Sequence, residues 1–155
     1  MGTNMVRTIL TAVCLLIAPM TASYANDIAP QFTPKNIMNV AVVITDNATD
    51  GCWTNLGETK RYAEDKLELS GFTVKKIGDE DIHYVMNITV NSKRQVFPCF
   101  GFVNIEIFRP HLIDGVSGIF VVGEGGLTFN TGGSGDNANL LVLKRLRQFF
   151  DELPK

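Results

Sequence analysis

No G-x-S-x-G, H-E-x-x-H or C-x-x-C run occurs in this chain of 155 residues, and it holds only two histidines, His83 and His111. The nucleophile elbow of serine hydrolases, the helical ligand pair of zinc proteases and the thioredoxin-like redox pair therefore lack their residues. Basic clusters are equally scarce. Lys75-Lys76 and Lys93-Arg94 are short and separated, whereas a duplex-binding surface gathers Lys and Arg on one face, so no nucleic acid partner is expected. No internal repeat and no charge block stands out. The longest apolar run, Ile9 to Ala18, is shorter than the roughly 20 residues a membrane-spanning helix needs.

That run belongs to a three-part leader. Arg7 precedes it, and small residues close on Ser23-Tyr24-Ala25, the layout of a secretory signal peptide cleaved after Ala25. Cys14 lies inside the apolar region, preceded by Val13, which is poor context for lipidation. Cleavage of residues 1–25 leaves thirteen basic against sixteen acidic residues, a net charge of −3, and no stable membrane span. Residues 26–37, with Pro30 and Pro34 among polar neighbours, are expected to form an exposed leader. Residues 38–155 are expected to make a single globular α/β domain, since the mature length fits one domain and can bury a real core.

Two cysteines remain in the mature chain, Cys52 and Cys99. In an exported protein, periplasmic or secreted, an even pair reads as a disulfide. The rival for Cys52 is a reactive thiolate, because "DGCWTNLGETKRYAEDKLELSGF" sets it just ahead of a helix, with His83 or His111 as the base such chemistry requires.

The β-branched run "NVAVVITD" predicts a central strand from Met38 to Thr45. Asn55 and Glu58 have capping-box spacing, and Leu56, Thr59, Ala63, Leu67 and Ser70 recur at helical period, with Gly71 at the closing position. "FTVKKI" starts a second strand. The period then falls to two in "HYVMNITVN" and "FVNIEIFR", and the glycines of "GIFVVGEGGLTFN" predict a bulged or bent strand. Asp136 can cap a last helix whose stripe is Leu140, Leu143, Leu146, Phe150 and Leu153. The order β-α-β-β-β-β-α predicts a two-layer α/β (α+β) sandwich, a mixed or mainly antiparallel sheet of 4–5 strands with two helices on one face. In architecture this resembles small periplasmic proteins and assembly lipoproteins that pack two helices on a four-stranded sheet, and architecture alone transfers no function. If the second strand turns back near Gly78 into an antiparallel third, Cys52 and Cys99 fall at opposite ends of the sheet, beyond the about 7 Å a disulfide spans.

Three further features carry candidate chemistry. Asp79, Asp81 and His83 alternate and would share a face if a strand has already begun there, a conceivable metal site; the simpler reading of "GDEDIH" is a solvated turn. "NTGGSGDNANLL" could cradle an anion at a helix start, but lacks the Lys-Ser/Thr of a P-loop. Phe97, Phe100 and Phe102 cluster at the predicted hairpin "QVFPCFGF", a partner surface if exposed and core against Trp53 if buried. Asn47 and Asn87 match the glycosylation pattern. No catalytic residue, metal or cofactor is assigned. The expected function is a non-enzymatic binding or accessory domain contacting another protein or an envelope component. The alternatives are a small enzyme using Cys52 or the Asp79/Asp81/His83 cluster, and a small-ligand carrier lined by the aromatic residues.

Overall fold

The β-branched run forms strand β2, Asn39–Ala48, three residues longer at its end than expected. It sits inside a mixed sheet. In this computed structural model, which describes residues 27–28, 32–37, 39–94, 96, 98–132 and 137–153, β2 is followed by helix α1, Leu56–Leu69, and short strand β3, Thr73–Lys75. Strands β4, Tyr84–Arg94, β5, Cys99–Ile113, and β6, Val116–Asn130, come next, then helix α2, Ala138–Asp151. A two-residue strand β1, Asp27–Ile28, adds to the edge, giving the sheet order β1-β6-β5-β4-β2-β3. β2 is parallel to β3 and to β4, and the remaining pairs are antiparallel. The expected two-layer architecture and element order hold.

One face of the sheet carries the core. Register aligns Val42 with Met86 and Met86 with Ile107, then Ile44 with Ile88 and Ile88 with Ile105, so period-two alternation points these side chains to the same side. Ala63 and Leu67 of α1 and Val142, Leu146, Phe149 and Phe150 of α2 close over them in one cluster. Trp53 is part of that cluster rather than of an aromatic surface.

Local sequence explains the helix ends, with two departures from expectation. α1 stops in a Schellman turn: Phe72 N–H donates to Leu67 O at 3.0 Å and Gly71 N–H to Glu68 O at 2.9 Å, with Gly71 at φ +94, as glycine allows. At its start the capping box does not form, because Asn55 donates its side-chain amide to Glu58 Oε2 at 2.6 Å and caps no backbone N–H. α2 is capped by Asn137, whose Oδ1 accepts from Leu140 N–H at 2.9 Å; Asp136 lies outside the described residues. The α2 stripe is also rotated from the expected one. Val142, Arg145 and Phe149 face inward while Leu140 is exposed, because Leu140, Leu141, Leu143 and Leu146 leave several faces apolar and the sheet selects the phase.

The expected exposed leader is corrected at its C-terminal half. Phe32 and Ile37 are buried, and Phe32 stacks on Phe72 at 4.9 Å between centroids and meets Tyr84 edge-on at 6.0 Å. Around Pro34 the chain turns, with Asn36 N–H and Ile37 N–H both donating to Thr33 O at 3.0 and 2.9 Å, and the turn leaves Phe32 and Ile37 inside. The expected signal peptide, residues 1–25, lies outside the described residues.

The strand directions remove the difficulty over the cysteines. β3 ends after three residues, and residues 76–83 carry the chain from one side of β2 to the other, so β4 runs parallel to β2 with Ala48 beside Ser92. The end of β4 and the start of β5 therefore lie against the loop that follows β2, where Thr49 N–H donates to Ser92 O at 2.8 Å. Cys52 and Cys99 are bonded there, with Cα atoms 5.7 Å apart.

Candidate interaction surface

The sheet reaches past the start of β4. β4 starts pairing with β5 at Val85 and Phe108, yet β5 and β6 continue as partners out to Ile113 and Val116. Asp114 and Gly115 close them, both at positive φ (53 and 79), the two-residue turn whose twist matches a hairpin. Residues 109–121 thus project as a two-stranded arm.

Alternation gives the arm two faces. Arg109 and His111 continue the side of buried Ile107, with Phe120, Gly118 and Val116 next to them across the register. Pro110 and Leu112 continue the other side, beside Ile119 and Ser117. Leu112, Val116, Ile119 and Phe120 are 68%, 69%, 65% and 60% exposed. Both faces are therefore apolar and wet. A lone two-stranded ribbon is marginal in water, and here its large apolar side chains have no second layer of this domain over them.

Main-chain parity shows that one edge of the arm is blunted. Thr131 N–H donates to Cys99 O at 3.0 Å, so odd-numbered residues of β5 direct their backbone groups to β6 and even-numbered ones away. Beyond β4 the outward positions are Pro110 and Leu112. Proline has no N–H, which is a device that keeps an edge from accepting another strand. The expected bulge in β6 is present at Val122, between the pairs Ile107/Gly123 and Phe108/Val121, and it bends the arm where the sheet narrows. At the arm's base a cleft of about 300 Å³ is lined by Tyr84, Arg109, His111, Gly118, Ile119 and Phe120.

The sheet face opposite the helices is the second open surface. Thr45 Oγ1 donates to Asn87 Oδ1 at 2.9 Å and Asn87 Nδ2 donates to Thr89 Oγ1 at 3.1 Å, a polar row that continues through Asn104. Glu106 and Glu124 lie directly opposite each other. Phe100 and Phe102 are exposed on this face, at 40% and 45%, and Phe102 edges a depression with Asn104, Gly126 and Thr128. Phe97 lies outside the described residues.

The remaining sequence candidates do not assemble. β4 begins at Tyr84, so Asp79, Asp81 and His83 are in the loop before it and share no strand face. Asp79 accepts from Lys76 N–H at 2.8 Å, Asp81 sits at φ +66 with its carbonyl accepting from Asn39 Nδ2 at 2.9 Å, and His83 N–H donates to Asn39 O at 3.2 Å. Among the described residues no group of three His, Cys, Asp or Glu is placed to hold a metal ion. Cys52 is corrected as a nucleophile by its bond to Cys99. Asn47 is exposed, whereas Asn87 is engaged within the open sheet face. The arm was missed in the sequence, although Asp-Gly between Ile113 and Val116 is a strong hairpin signal.

The chain has the fold of small α+β domains in which two helices pack on one face of a mixed sheet. No protein-family model matches it and no curated protein matches it. Among solved structures it is similar to the PelC dodecamer from Paraburkholderia phytofirmans, at TM-score 0.53 and 14% identity over 80% of this chain and 91% of that one. It is also similar to a hypothetical protein from Chlamydia trachomatis, at TM-score 0.44 and 12% identity over 74% and 92%. A lipoprotein from Neisseria meningitidis follows, at TM-score 0.43 and 13% identity over 74% and 98%. At these identities the likeness is one of fold.

Proposed function

We propose that this protein is an exported, non-enzymatic accessory domain that works by contact with another protein of the cell envelope, and that the β5–β6 arm is its principal contact surface. The carrying observation is the arm itself: four large apolar side chains exposed on both faces of a ribbon that the domain's own core does not need. The open sheet face, with Phe100 and Phe102, extends that surface. A leader of secretory type and two cysteines joined in a disulfide fit an oxidising compartment outside the cytoplasm. A fold neighbour that forms a dodecamer fits a domain whose work is assembly.

Carbene footprinting tests the reading. Leu112, Ile119 and Phe120 should label strongly in the purified protein and weakly in intact envelopes of the source cell, while Leu69, 82% exposed on α1, should label equally in both. Equal labelling of the arm in both samples would remove the basis for the proposal.

A further inference from the structure

The arm carries two unlike patches. At its tip stand Asp114 and the exposed Val116. At its base is the cleft bordered by Tyr84 and Phe120 and rimmed by Arg109 and His111. One patch is acidic and apolar, the other basic and apolar. Among the described residues neither Arg109 nor Asp114 has an ion-pair partner. Five residues of extended strand, about 17 Å, separate them, so they do not meet within one chain.

We propose that the arm's occupant is a second copy of this chain, with the tip of one arm seated in the cleft at the base of the other and Asp114 facing Arg109. This rests on the contact role proposed above and names the partner. Antiparallel arms make the contact reciprocal, since each tip lies over the other's base, and a two-fold axis closes it. Pro110 leaves the β5 edge only the Leu112 donor beyond β4, and Arg109, the cation to be paired, stands on a side-chain face rather than on a strand edge. The face that carries Arg109, His111 and Phe120 is the one that meets the partner. A bilayer would also cover both faces of an apolar ribbon, but Asp114 would lead the insertion, and a carboxylate in that place opposes it. A cleft of about 300 Å³ suits a few side chains from a hairpin tip.

Sedimentation velocity of the purified full-length mature chain over a dilution series at low salt tests the contact. The expected result is reversible association to twice the chain mass, weakened by added salt. Arg109→Asp and Asp114→Lys should each weaken it by about tenfold, and the two together should restore it, as expected for a facing charge pair. Asp114→Asn, a residue the turn accepts, separates loss of charge from a distorted tip and should also weaken association. A monomer at every concentration, single variants that associate like the parent, a double variant without recovery, or binding to anionic phospholipid vesicles as a monomer would each overturn the self-contact. The contact role itself would survive those results if the arm is still protected in the envelope, and would fall with them if it is not.

Discussion

The disulfide offers a magnitude that can be worked from the structure. Replacing Cys52 and Cys99 by Ala removes a cross-link between residues separated by 47 positions, and loop-closure entropy for about that length is worth about 4 kcal/mol at 25 °C. Small domains hold about 5–15 kcal/mol in total, so the loss should be severe without abolishing the fold. For a domain of this size the melting temperature should drop by roughly 15 °C. Both cysteines are buried, so the double variant, rather than added reductant, is the cleaner perturbation. Urea unfolding followed by circular dichroism gives the stability and the slope m together. Because the effect acts through the unfolded chain, which expands when released, m should rise as the midpoint falls. A loss below about 1 kcal/mol with unchanged m would refute the entropic reasoning. Free thiols titrated in the unreduced native protein would refute the bond.

Three smaller perturbations test the local readings. Gly71→Ala should cost about 1–2 kcal/mol by thermal melting, since φ is +94 and the new Cβ would sit 3.3 Å from Pro34 Cβ; an unchanged melting temperature would contradict the Schellman closure. Asn137→Ala should cost about 1 kcal/mol through the lost bond to Leu140 N–H, and Asn137→Asp should recover most of it. Phe120→Ser, at a site 60% exposed, should leave the monomer's stability within about 0.5 kcal/mol while reducing self-association in the same sedimentation assay; marked destabilisation would show that the arm serves the fold.

Much of the fold was legible because its signals are local. The run from Asn39, the helical period of Thr59, Ala63 and Leu67, and Gly71 at the closing position each belong to one element and state its type. Compartment and cysteine count likewise pointed to the Cys52–Cys99 bond, even though the assumed strand directions argued against it. What was illegible depends on distant partners. Whether β4 lies parallel to β2 is decided by the crossing of residues 76–83, not by any residue in β4. The phase of α2 is set by the sheet, since its leucines alone admit several faces. Phe32 reads as part of a polar, proline-containing leader until Phe72 and Tyr84 are placed beside it. The arm shows both limits at once: Asp114-Gly115 announces a hairpin, but only the starting point of β4 reveals that residues 109–121 reach past the sheet.

The central claim is that this arm is where the protein meets its partner, and a photoreactive phenylalanine placed at Phe120, on the face that carries Arg109, in the source cell tests it most directly. A matched probe at Arg61, on the exposed side of α1, is the control. The account expects a discrete adduct from position 120, of twice the chain mass if the partner is a second copy, and none from position 61. Adducts of equal yield from both positions, or none from position 120, would contradict it.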